Sequence, residues 1–265
     1  MRYALKVYYD GIGFSGSQRQ PEKRTVEGEF LAALERLGID HKGFKTAGRT
    51  DKGVSALGNV FALSTYSKLI KPRILNSVLP KDIKVLAAQE VEGGFNPRHA
   101  KERRYRYFLL NEGYDLATMK KAAKVFIGQR SFHNFSSTDY RSPIRKINYI
   151  DVEKKDEALV LTFSGESFLW QMVRRIVTAL KMAGRGELSI QELESYFDPD
   201  HRKKVPPSNA ENLVLWDVRY NFPFKHEEYS LKKLKKELKE MWAKHKTKAA
   251  ICSEVLKEAE EDEFS

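Results

Sequence analysis

K-T-A-G-R-T-D-K-G-V-S-A, Lys45 to Ala56, is the stretch from which the rest of the chain can be read. Gly48 and Gly53 bracket Arg49, Thr50 and Asp51, so the backbone can turn sharply while presenting one carboxylate beside one guanidinium. Apolar residues lie on both sides, Phe44 before and Val60, Phe61, Ala62 and Leu63 after, which predicts a tight loop wedged between two sheet strands. Loops on a rigid sheet are where chemistry sits. Taken alone, an Asp beside Gly is more often a turn carboxylate bonded to its own backbone.

Outward from the loop, the first half spells strand, helix, strand, strand, helix, strand. Arg2 to Tyr9 alternates Tyr3, Leu5, Val7 and Tyr9 against Arg2, Ala4, Lys6 and Tyr8. After a Gly-rich loop, D-G-I-G-F-S-G-S-Q-R-Q-P, Thr25 caps a helix with Val26, Phe30, Ala33, Leu34 and Leu37 at helical spacing and Gly38 as its stop. Arg19 and its Gln neighbours, Gln20 among them, read either as contacts to phosphate or base edges or as a solvated loop. A strand over Asn59 to Ser64, a short helix over Lys71 to Leu79 and a strand over Lys84 to Val91 follow.

Phe95 to Tyr107, F-N-P-R-H-A-K-E-R-R-Y-R-Y, interleaves basic and aromatic residues. On a strand Tyr105 and Tyr107 share one face, Arg104 and Arg106 the other. Tyr105 is then either a packed cross-strand aromatic or a stacking face for a nucleobase. Helices are expected over Leu116 to Ile127 and Phe168 to Ala183, the second ended by Gly184, and over Ser189 to Phe197. The polar segment His133 to Pro143 separates the first of these from strands near Lys146 to Val152 and Ala158 to Phe163, and Leu213 to Tyr220 is a last strand. Arg174 falls at the border of the long helix's apolar face and reads either as a snorkelling surface arginine, the commoner case, or as one whose stem is buried while its head points sideways.

The second half thus resembles the first. The expected fold is α+β: two diverged ferredoxin- or RRM-like halves, 1–103 and 104–224, sharing a mixed, mainly antiparallel sheet flanked by helices. A charged tail, 225–265, reads as one or two appended amphipathic helices, frayed at Glu260 to Ser265.

Charge narrows the partner. The chain has 47 Lys and Arg against 36 Asp and Glu, and the tail carries ten Lys and ten acids, so the whole excess of +11 sits on the body. A basic body suits a polyanion, most often nucleic acid, with binding that weakens steeply in salt. One cysteine, Cys252, excludes an internal disulfide or a Cys-rich zinc site and fits a reducing compartment, so the expected location is the cytoplasm. The N-terminus lacks a signal peptide's apolar core, and no apolar run approaches the roughly 18 residues of a membrane span.

Three separated elements, A-G-R-T-D-K-G-V-S-A with Asp51, R-R-Y-R-Y with Tyr105 and F-L-W-Q-M-V-R with Arg174, together resemble the tRNA pseudouridine synthase A family. Y-Y-D-G-I-G-F-S-G-S-Q-R-Q, T-V-E-G-E-F, L-P-K-D-I and S-P-I-R-K-I at Arg145 add to the likeness, which covers roughly Met1 to Tyr220 and leaves the tail outside. Ser17 stands where many relatives have Trp and Ser55 where many have His, both expected to alter RNA contacts.

The resemblance implies a homodimer that modifies positions 38 to 40 in the anticodon stem-loop of tRNA. It implies Asp51 as nucleophile, through C1′, C6 or a glycal. Tyr105 is implied to stack on uracil and to accept the C5 proton. Arg174 would pair with Asp51, and Arg49 would reach a phosphate or the space left by a flipped nucleotide; Arg19, Gln20 and Arg104 are further candidates for RNA contact. Such an isomerisation breaks the C1′–N1 bond and rejoins the base through C5, and it calls for no metal or cofactor. The rival readings are an RRM-type binding protein, which lacks its R-G-F-G-F-V-like strand here, and a metal nuclease or glycosidase, which lacks a second carboxylate loop. Asp10 is the nearest second acid and reads as structural.

Overall fold

The computed structural model describes residues 1–137, 142–198 and 200–262. Six elements make the first half: β1 (Arg2–Tyr9), α1 (Val26–Arg36), β2 (Lys42–Thr46), β3 (Ser55–Ser64), α2 (Pro72–Val78) and β4 (Ile83–Val91). The second half runs β5 (Glu102–Leu110), α3 (Leu116–Val125), β6 (Gly128–Ser131), β7 (Ile144–Lys155), β8 (Ala158–Gly165), α4 (Met172–Gly184), α5 (Ile190–Ser195) and β9 (Leu213–Arg219). All nine strands form one sheet in the order β4-β1-β3-β9-β5-β8-β7-β6, with β2 added to β3. Each half repeats a theme: its first strand lies between its last strand and the one that precedes its second major helix, β1 between β4 and β3 and β5 between β9 and β8. The architecture is a duplicated α+β unit, and the sheet is antiparallel except where β3 meets β9.

That joint decides where the site falls. One edge of β3 is covered by β1, and the other is divided: Phe61, Ala62 and Ser64 pair with β2, while Ser55 pairs with Val214 and Ala56 with Leu215 of β9. The segment from β2 to β3, residues 47–54, therefore leaves the sheet where the second half begins. Beneath α1 the core is aromatic, with Phe30 edge-on to Phe61 at 5.0 Å and Phe44 edge-on to Phe61 at 5.6 Å. The Thr25 hydroxyl accepts from Gly28 N–H at 3.2 Å to start α1. Gly38, at φ +65°, ends it with a pair of backbone bonds, Gly38 N–H to Glu35 O and Ile39 N–H to Leu34 O.

Two boundaries differ from the sequence reading. The helix expected from Phe168 starts at Met172, because Gln171 takes a left-handed conformation (φ 61°, ψ 5°) that no helix can pass through. At its other end Gly184 is still helical, and the left-handed residue is Gly186 at φ +74°, whose N–H bonds Ala183 O. Within the segment read as polar lies a 3-10 turn, His133–Phe135, with Asn134 and Phe135 buried; residues 138–141 of that segment lie outside the described residues.

The tail is one helix, α6 (Glu228–Asp262). Its first turns close over the β4 edge: Leu234 is buried, Lys84 pairs with Glu237 at 3.4 Å, and Asn76 donates to Ser230 Oγ at 2.9 Å. From 239 to 260 every residue of α6 is exposed.

Candidate active site

Side chains from the sheet and from the loop after β1 fix the backbone of the 47–54 loop. Asn59, fully buried on β3, donates to Gly48 O at 2.9 Å and accepts from Gly48 N–H at 3.3 Å. Tyr9 hydrogen-bonds Thr50 Oγ1 at 2.9 Å and accepts from Asn59 Nδ2 at 3.1 Å. Ser17 Oγ accepts from Thr50 N–H at 2.7 Å, and Ser17 N–H donates to Thr50 O at 3.0 Å. Buried polar groups are costly unless paired, so these reciprocal bonds hold the loop in one shape. The turn closes with Val54 N–H on Asp51 O at 3.1 Å. Ser17 and Ser55, the two positions expected to differ from many relatives, both bond within this frame: Ser55 Oγ accepts from Gly11 N–H at 2.9 Å.

Arg174 reaches the loop from the first turn of α4. Its Nη1 donates to Asp51 Oδ2 at 2.8 Å while its Nε donates to Ser208 O at 2.7 Å. The two side chains are 14% and 26% exposed, so solvent screens the pair only in part. The second carboxylate oxygen, Oδ1, accepts from the indole N–H of Trp170 at 2.9 Å.

Tyr105 rises from β5 into the same wall, 8% exposed and edge-on to Phe168 with ring centres 5.2 Å apart. Burial pushes its phenol above the ordinary value; the charge of Arg103 pulls the other way, and Asp51 adds to the rise. Arg103, two residues earlier on the same face, ties three segments together. Its guanidinium donates to Ala47 O and Arg98 O, each at 2.8 Å, and to Glu166 O.

These residues enclose a cavity of about 870 Å³ at the junction of the halves, within the range of ligand sites. Arg49, Lys52, Arg98, Arg103 and Arg174 line it, and Asp51 is the one carboxylate among its described lining residues. The balance favours an anionic ligand.

Of the residues singled out from the sequence, Asp51, Tyr105, Arg174, Arg49 and Gln20 come together here. Gln20 bonds Ser15 O at 2.9 Å, and Arg49 is exposed at the cavity. Arg19 and Arg104 are placed elsewhere. Arg19 is exposed outside the cavity lining, its backbone N–H on Glu27 Oε2 at 3.1 Å. Arg104 points to the opposite sheet face, as the period of two requires, where it pairs with Glu102 at 2.8 Å and lies 5.8 Å from the Tyr149 ring centre. Asp10 accepts from Ile12 N–H at 3.1 Å in a turn. Among the described residues no three or more His, Cys, Asp or Glu side chains gather as metal ligands would, and no helix is long and apolar enough to cross a membrane.

Trp170 and Arg103 were not singled out from the sequence. For Arg103 the signal was present, since the alternation that aligns Tyr105 with Tyr107 aligns Arg103 with both.

The class of protein emerges from comparison with known families. Residues 122–221 match the family model described as tRNA pseudouridine synthase. Curated relatives named tRNA pseudouridine synthase A match over nearly the full length. The protein of Thermococcus sibiricus is 46% identical, over 97% of this chain and 99% of that one. That of Thermococcus kodakarensis is 42% identical over 97% and 100%, and that of Methanothermobacter thermautotrophicus 40% identical over 99% of each. Among solved structures, a Cbf5-Nop10-Gar1 complex aligns with 68% of this chain and 44% of that one at a TM-score of 0.37 and 16% identity. The chain belongs to the tRNA pseudouridine synthase A family and is an isomerase. A match over 97% of 265 residues leaves about eight uncovered, so most of the tail lies inside the likeness, contrary to the expectation that it stood outside.

Proposed function

We propose that this enzyme converts uridine to pseudouridine in the anticodon stem-loop of tRNA, at positions 38 to 40, with Asp51 as the nucleophile. The observation that carries the reading is the Arg174 to Asp51 pair, 2.8 Å long, inside a basic cavity walled by Tyr105. A carboxylate must be ionised to attack, and a guanidinium in direct contact favours that form. The relatives' shared name supplies tRNA as the substrate.

The reaction moves no electrons in or out. The ribose C1′–N1 bond breaks, the freed uracil turns, a C1′–C5 bond forms, the C5 proton leaves to a base and N1 gains a proton. Asp51 stabilises or captures the sugar or the base during this exchange. Tyr105 offers its ring as the stacking wall that keeps the detached uracil in place, a contact worth about 1–3 kcal/mol per base. Its role as C5 proton acceptor is harder to meet, because burial raises the phenol above its ordinary value. Flipping the nucleotide out of its stem costs a few kcal/mol, which Tyr105, Arg49 and the other cationic lining residues offset. The homodimer implied by the family resemblance would let one tRNA lie across two subunits.

The test is tRNA carrying tritium at uracil C5, incubated without added metal. Release of tritium from an intact strand is expected, lost in Asp51→Ala while tRNA binding is largely retained. Release that survives this substitution removes Asp51 from the mechanism, and strand scission instead favours the nuclease reading.

A further inference from the structure

We propose that Trp170 is a positioning residue for the reacting carboxylate: its indole N–H fixes the Asp51 oxygen that Arg174 leaves untouched, and the left-handed backbone at Gln171 aims the ring. The inference rests on the reading of Asp51 as nucleophile.

A carboxylate held at one oxygen can still swing about its own axis. Here Arg174 holds Oδ2 at 2.8 Å and Trp170 holds Oδ1 at 2.9 Å, so two donors fix its plane. Each oxygen has two lone pairs, and one contact on each leaves capacity for attack. The indole nitrogen only donates and does not titrate in the working range, so it contributes orientation and charge stabilisation rather than proton transfer.

Packing does not account for the ring's position. Trp170 is 59% exposed, unlike a tryptophan placed by burial. Its backbone is instead held at a cost. Among the described residues three other than glycine have positive φ: Glu22, Asp156 and Gln171. Glu22 lies in an exposed turn and Asp156 in the hairpin between β7 and β8, where such angles are ordinary. Gln171 lies beside the cavity, and its conformation is clamped. Ser137 Oγ and Arg175 Nη2 donate to Gln171 Oε1 at 2.5 and 2.8 Å, and Ser137 N–H donates to Trp170 O at 3.2 Å. A strained backbone that neighbours over-determine is characteristic of functional sites.

Two measurements on the full chain decide the matter. With the C5-tritiated tRNA, Trp170→Phe is expected to lower kcat about 10- to 100-fold with KM nearly unchanged, since the ring stays and the N–H goes. A kcat within about twofold of the parent, or a loss confined to KM, overturns the proposal. In 1H–15N spectra of the RNA-free enzyme the three tryptophans give three indole cross-peaks, and the one missing from Trp170→Phe belongs to Trp170. That peak is expected to move upfield in Asp51→Ala and in Gln171→Val, which disfavours the left-handed turn and removes the Oε1 clamp. A peak unmoved by Asp51→Ala overturns the contact, and one unmoved by Gln171→Val overturns the part given to Gln171. Tritium release surviving in Asp51→Ala would sink the nucleophile reading itself, whereas a dead Asp51→Ala beside a normal Trp170→Phe sinks the Trp170 proposal alone.

Discussion

Arg174 uses two donors of one planar group at once, Nε on Ser208 O and Nη1 on Asp51 Oδ2, so the side chain is aimed by the backbone it touches before it meets the acid. Lysine supplies a point charge without that fork. Arg174→Lys is therefore expected to keep the fold and lose about 10²-fold in kcat, the loss typical of removing one oriented donor from a site, measured as single-turnover tritium release. Asp51, Tyr105 and Arg174, which line one cavity, can be gathered as candidates from the sequence because their three motifs together resemble one family; each alone also fits a structural role, as a turn carboxylate, a packed cross-strand tyrosine or a surface arginine. Trp170 was not. Extending the helical period of α4 back through Phe168 conceals the left-handed turn at Gln171 that directs the indole, and no propensity marks a glutamine for that conformation.

The acid loop owes its shape to another loop lying against it. Gly11 follows β1, and a Cβ there would stand 2.2 Å from Val54 O and 2.3 Å from the Val54 carbonyl carbon, distances that only displaced backbone could relieve. Gly11→Ala is expected to lower stability by about 3 kcal/mol, seen as a fall in the urea midpoint at unchanged slope, and to cost activity through a displaced Asp51. The elements themselves were largely readable. Alternation marks β1 and β5, and Thr25 and Gly38 mark both ends of α1. What resisted reading was β6, four residues of G-Q-R-S with no apolar alternation, which is a strand only because β7 pairs with it from Gly128↔Ile147 to Ser131↔Ile144.

Across the molecule, α6 divides into a docked part and a free part. Removing residues 239–265, whose described part up to 260 is exposed, is expected to leave the thermal midpoint within about 2 °C of the parent, since surface far from buried contacts contributes little. Removing 228–265 uncovers the site of Leu234 and leaves buried Lys84 without Glu237, and should lower the midpoint by about 5 °C in calorimetry. The duplication was visible as a repeated order of elements. The interleaving of β9 between β3 and β5 was not, because neighbours in a sheet so far apart in sequence leave no local pattern. That joint between β3 and β9 is two register pairs long, Ser55 with Val214 and Ala56 with Leu215. Asp51 rides on one side of it and Arg174 on the other, so the acid and its guanidinium face each other like the two leaves of a book across its spine. Their 2.8 Å contact therefore spans the seam and ties the first half to the second beside its shortest strand pairing.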